Sequence, residues 1–91
     1  MNQVLIYSQD SCPHCQELKD LLTYSDIQYT VRDIDKHEKE WDDISKHSGV
    51  EYVPTVLLLN KDKGVGNILS PDRDFEELDE CLQLIQTHLN E

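Results

Sequence analysis

The chain has 91 residues, enough for one domain with a single core and too few for two. Its 19 acidic and 8 basic residues give a formal net charge of -11. Such a surface repels phosphate backbones and anionic lipid, which excludes nucleic-acid or membrane binding through a basic patch.

Residues 3–7, "QVLIY", are an apolar run of strand formers, broken by the turn residues of "QDS". The surrounding "MNQVLIYSQD" has no basic n-region, no long apolar core and no small-residue cleavage site, so it is not read as a secretory signal. No run approaches the length of a transmembrane helix, and a cytoplasmic protein with reduced thiols is expected. From Pro13 to about Ser25 the spacing of Leu18, Leu21 and Leu22 with Cys15 predicts a helix. Pro13 suits its first turn because the N–H it lacks would go unused there.

Residues 27–34, "IQYTVRDI", predict a second strand, parallel to the first across a helical crossover. Residues 36–48 carry Trp41 and Ile44 at helical spacing among charges, with Gly49 placed to end a thinly apolar helix. "PTVLLLN", residues 54–60, is nearly continuously apolar, as a central strand covered on both faces should be. "KDKG" predicts a turn, and "VGNIL", residues 65–69, an antiparallel partner. A last helix is expected to open at Ser70 as cap and Pro71 as first residue, burying Phe75, Leu78, Leu82, Ile85 and Leu89 along one stripe. The order β-α-β-α-β-β-α describes one α/β domain over residues 1–91, a four-stranded mixed sheet with three helices on its two faces.

The pair Cys12 and Cys15 raises three options: a metal site, a structural staple or electron exchange. Zinc normally takes four ligands, and no second ligand pair stands at suitable spacing; His37, His47 and His88 are scattered over polar helices. Cytosolic paired cysteines are more often catalytic or metal-binding than structural, and three cysteines fit a disulfide scaffold poorly. Cys81 flanks the apolar stripe of the last helix and reads as a small core residue. Exchange suits the placement best. Cys12 lies at the start of a helix, where free N–H groups and the helix dipole favour a thiolate, and Cys15 lies one turn in, shielded. Cys12 is then the nucleophile on a substrate disulfide and Cys15 the resolving thiol. His14, if protonated, adds positive charge beside Cys12, and Asp10 opposes it.

"CPHC" after a first strand, joined to "VPT" some forty residues later, resembles the thioredoxin fold, and the length is most similar to a glutaredoxin. The resemblance covers nearly the whole chain. It implies an active site of Cys12, Pro13, His14 and Cys15 with a cis-Pro54, which turns the backbone of Val53 outward toward an extended substrate or glutathione. Without the resemblance, Pro54 could be a trans proline beginning an edge strand.

Three positions depart from the glutaredoxin pattern. His14 replaces the usual tyrosine, and Gln9 stands where a basic residue often meets a glutathione carboxylate. "SPDRD" replaces the Gly-Gly turn and aspartate that hold the γ-glutamyl end, leaving Asp72 and Arg73 as the candidate contacts. The hairpin "VPTVLLLNKDKG" is closer to the thioredoxin version.

The resemblance implies a dithiol-disulfide oxidoreductase that reduces protein disulfides or glutathione mixed disulfides, with glutathione as reductant and no bound cofactor or metal. Ribonucleotide reductase is a familiar substrate of such families, and a monomer is expected. The alternatives are a redoxin served by a thioredoxin reductase, and a non-catalytic binding subunit docking through its acidic surface. Pro13 speaks against an iron–sulfur cluster bridged between two protomers, because cluster-carrying relatives tend to lack it.

Overall fold

The computed structural model describes residues 2–50, 52–60, 64–71 and 74–90. The elements in chain order are β1 (Asn2–Ser8), α1 (Pro13–Tyr24), β2 (Thr30–Asp33), α2 (Glu38–Ser48), β3 (Thr55–Asn60), β4 (Gly64–Leu69) and α3 (Leu78–Leu89). The sheet runs β2-β1-β3-β4; β1 and β2 are parallel, and the other neighbours are antiparallel. This is the mixed α/β architecture the sequence predicts.

Alternation along β1 divides the protein into two layers. Val4 and Ile6 point to one face, into a core with Leu18 and Leu22 of α1 and Cys81 and Ile85 of α3. Leu18 and Leu22 have no exposed surface, and burying a leucine side chain stabilises the fold by about 1.5–3 kcal/mol. Tyr7 points to the other face, where its ring lies 5.6 Å from that of Trp41 in α2. Burial, with the Glu40 carboxylate adding to it, pushes the Tyr7 hydroxyl above its usual pKa. No residue of α2 is fully buried, as its sparse apolar spacing suggests.

The helix ends show why two elements are shorter than their apolar patterns. Asp26 adopts a left-handed φ of 58° after α1. The amide of Ile27 then donates to the Leu22 carbonyl at 2.9 Å, and that of Asp26 to Thr23 at 3.1 Å. These are the two bonds of a Schellman cap. Ile27 packs on the core from this turn, so β2 begins at Thr30 instead of residue 27. Gly49 ends α2 in the left-handed region at φ 70°, donating to the Ser45 carbonyl at 2.8 Å, as its position predicts.

The largest departure lies before α3, which starts at Leu78 and not at Pro71. Asp74 bonds back to Ser70 twice: its amide donates to the Ser70 carbonyl at 2.9 Å, and its carboxylate accepts the Ser70 N–H at 2.8 Å. Ser70 therefore caps no helix. Phe75 drops into the core, 5 % exposed, and bridges to Pro71 in place of joining a helical stripe. The helix is opened by Glu77, whose side chain accepts from the amide of Glu80 while Glu80 reaches back to the amide of Glu77. This is a capping box built from two glutamates. The turn expected at "KDKG" falls on residues 61–63, outside the described residues; Gly64 already belongs to β4.

Candidate active site

The loop after β1 delivers Cys12 to the head of α1. The Cys12 amide donates to the Gln9 carbonyl at 3.0 Å, and Cys12 itself is the N-cap, with extended backbone and Pro13 following as the first helical residue. Cys12 and Cys15 are disulfide-bonded, their Cα atoms 5.3 Å apart. The two sulfurs differ in surroundings. Cys12 is half-buried, and its Sγ accepts from the backbone N–H of Cys15 at 3.1 Å. Cys15 has no exposed surface. The first turn of α1 contains no acidic residue, so within the helix nothing offsets the dipole at the Cys12 sulfur.

Across from the pair, the Val53–Pro54 peptide bond is cis. The Val53 carbonyl oxygen lies 3.9 Å from Cys12 Sγ. The start of β3 therefore brings Val53 and Pro54 to the disulfide over a sequence separation of 41 residues.

The remaining candidates are distributed differently. His14 is exposed and sets Nδ1 3.8 Å from Glu17 Oε2, an exposed pair of little strength. Gln9 turns its amide to Asp35 Oδ2 at 3.4 Å. Asp10 lies by the side chain of Asp33, whose carboxyl is held below its usual pKa chiefly by the Asp35 amide, with hydrogen bonding to Asp10 contributing. Asp72 and Arg73 lie outside the described residues. Among the described residues no three His, Cys, Asp or Glu side chains converge as metal ligands would, and no helix is long and apolar enough to cross a membrane.

A groove of about 850 Å³ opens beside the cysteines, which sequence reasoning missed. Val53, Pro54 and His14 form the end nearest the disulfide; Leu21, Phe75 and Leu78 line it further along. Phase alone could not reveal it, since Phe75 and Leu78 fit a buried stripe. The spacing Glu77-x-x-Glu80, a capping-box spacing, was the available signal for the later helix start.

Cys81 takes no part in this site. It is fully buried in the core, and burial, followed by the nearby Asp74 carboxylate, pushes its thiol up to about 12. At pH 8 the thiolate fraction is then about one in ten thousand, before access is considered. The oxidised native protein should show no thiol reactive toward an aromatic disulfide reagent within minutes, and one per chain in guanidinium chloride. A native thiol titrating at once would place Cys81 at the surface.

The glutaredoxin family model matches residues 4–62 of the chain. No curated protein matches it in sequence. Among solved structures it is similar to a thioredoxin-like protein, at 20% identity and TM-score 0.68, covering 90% of this chain and 99% of that one. It is similar also to the holo form of glutaredoxin C1 from Populus tremula × tremuloides, at 20% identity and TM-score 0.61, covering 92% and 74%. A mutant thioredoxin from Halobacterium salinarum matches at 20% identity and TM-score 0.65, covering 96% and 74%. At these identities the likeness establishes the thioredoxin fold.

Proposed function

The chain belongs to the glutaredoxin family, and from that premise we propose that it reduces protein disulfides or glutathione mixed disulfides through Cys12 and Cys15. The family and the cysteine pair support thiol–disulfide redox chemistry; substrate and reductant are the proposal. The observation that carries it is the unequal placement of the two sulfurs, one half-buried at a helix N-cap beside Val53, the other enclosed.

In the proposed reaction the Cys12 thiolate attacks one sulfur of the substrate disulfide. The other sulfur leaves as a thiolate and takes a proton from solvent. Cys15 then attacks Cys12 Sγ, expelling the second substrate thiol and closing the Cys12–Cys15 disulfide, so two electrons have passed to the substrate. Two molecules of glutathione, oxidised to its disulfide, restore the dithiol. The cytosol is the proposed setting because its thiol pool maintains that supply. Val53 would pair its backbone with the extended substrate.

A second supply of electrons, a thioredoxin reductase, is favoured by one observation. The helix start expected at Ser70-Pro71 beside the candidate glutathione contacts is not there: α3 opens at Leu78, where the reciprocal Glu77 and Glu80 bonds occupy its N-terminus and Asp79 and Glu80 stand in its first turn. Gln9, the other expected contact, offers no positive charge.

The test follows NADPH oxidation with a small-protein disulfide or a glutathione mixed disulfide, with Cys12→Ser as blank. One arm supplies glutathione and glutathione reductase, the other a thioredoxin reductase. Turnover that depends on Cys12 in the first arm supports glutathione supply, and in the second arm alone the alternative. A folded protein inactive in both, whose Cys12–Cys15 pair does not cycle, would contradict the oxidoreductase reading.

A further inference from the structure

The groove beside the disulfide has an apolar floor and an acidic rim. Leu21, Pro54, Pro71, Phe75 and Leu78 contribute apolar surface. Glu17 and Asp20 of α1 face Glu76, Glu77 and Asp79 across it, and all five carboxylates are on exposed residues. Among the described residues lining the groove, His14 is the only one that can be cationic. Tyr24, 91 % exposed, stands in the lining as well. An exposed aromatic beside an apolar trough is typical of the anchor points of protein interfaces.

The position of this groove makes it relevant to catalysis. A chain segment that brings a disulfide to Cys12 passes Val53, whose carbonyl oxygen lies 3.9 Å from Cys12 Sγ and which lines the groove together with Pro54. The residues flanking that disulfide then lie between the two acidic rims. Each exposed charge pair contributes little by itself. Five carboxylates acting in one direction steer the encounter and penalise an anionic segment. Glutathione, which has more carboxylates than ammonium groups, matches this rim poorly.

We propose that this groove docks an extended segment of a disulfide-bearing protein in which lysine or arginine alternates with apolar residues, so that the enzyme selects cationic protein disulfides over glutathionyl groups. The inference rests on the redox reading of Cys12 and Cys15 and specifies the substrate class of that same site.

Two peptides of identical apolar sequence test it, each with one cysteine joined to the same chromogenic thiol, one flanked by lysines and the other by glutamates. Reduced full-length protein cleaves the mixed disulfide, its two electrons releasing peptide thiol and chromophore. At low salt kcat/KM should favour the lysine peptide about tenfold, and the gap should fall to about twofold at 0.5 M salt. Asp20→Asn with Glu76→Gln should reduce the low-salt preference to about threefold. Asp42→Asn with Asp43→Asn, an equal charge change on exposed residues of α2, should leave it in place.

Equal rates for the two peptides, a faster glutamate peptide, or an equal loss of preference in both double variants overturns the proposal. A second readout separates it from the redox reading: the same peptides with serine for cysteine are titrated into isotope-labelled protein. Shifts at Leu21, Phe75 and Leu78 with the lysine peptide support docking even if no disulfide turns over, in which case the redox reading alone fails. No shifts at those residues overturn docking whatever the turnover.

Discussion

Cys12→Ser is expected to abolish disulfide exchange, and Cys15→Ser to leave the first attack intact and arrest the protein as a mixed disulfide on Cys12. The two cysteines are alike in sequence, so the difference must come from their places on α1. Cys12 caps the helix, is half-buried, and receives the Cys15 N–H at 3.1 Å on its sulfur. A hydrogen bond from a helix-terminal amide favours the charged form of its acceptor, here the thiolate, which is the attacking species. Serine has no comparable nucleophile at neutral pH. The exchange rate should fall by at least about a thousandfold, to the solution background. Cys15 has no exposed surface, so external disulfides cannot reach it, whereas Cys12 Sγ is its direct neighbour. Removing Cys15 therefore blocks resolution and not attack. Intact-mass measurement after mixing with substrate should show one substrate half added per Cys15→Ser chain and none on Cys12→Ser. Equal, partial rate losses in the two variants would contradict the roles assigned here.

The elements that local chemistry dictates are legible in the sequence. Pro13 after Cys12 marks the start of α1, and Gly49 marks the end of α2 because only a left-handed residue closes it there. β1 and β3 show as apolar runs because both lie inside the sheet. Elements decided by tertiary contacts are less so. Ser70-Pro71 has the chemistry of a helix start, yet Asp74 turns the chain back on Ser70 and Phe75 serves the core from a loop. Helical phase cannot distinguish that Phe75 from one on a helix, and the late start of α3 follows from it. Ile27 lies outside the strand its sequence predicts for a similar reason: its apolar side chain packs on the core from a cap. At the candidate site, the spacing of Cys12 and Cys15 and the proline at the head of β3 were readable because each is a local motif. The groove was not, because Leu21 and Tyr24 meet Phe75 and Leu78 only after the chain has crossed the sheet.

A substitution remote from the cysteines should have the largest effect on stability. Gly66→Ala is expected to destabilise the fold by about 2–3 kcal/mol, the cost of forcing an extra carbon against the backbone of the neighbouring strand. The register between β3 and β4 passes from Leu59↔Val65 to Leu57↔Ile68, so Leu58 alone opposes Gly66 and Asn67 in a bulge. A Cβ on Gly66 would run into the Leu58 carbonyl oxygen. That oxygen belongs to the backbone of an interior strand, and the Leu58 side chain is 1 % exposed in the core. No side-chain rotation relieves the collision; the ladder must shift. At about 4–8 °C per kcal/mol for a domain of this size, the midpoint of thermal unfolding should fall by about 10–20 °C. Disulfide exchange per folded molecule should change much less, because the head of β3 is also held by β1 through Ile6↔Val56 and Tyr7↔Thr55. Thermal melts and rates measured well below the transition separate the two effects. A midpoint within 3 °C of the parent would show that the strand yields at Gly66 and that the close approach to Leu58 is not a constraint on this fold.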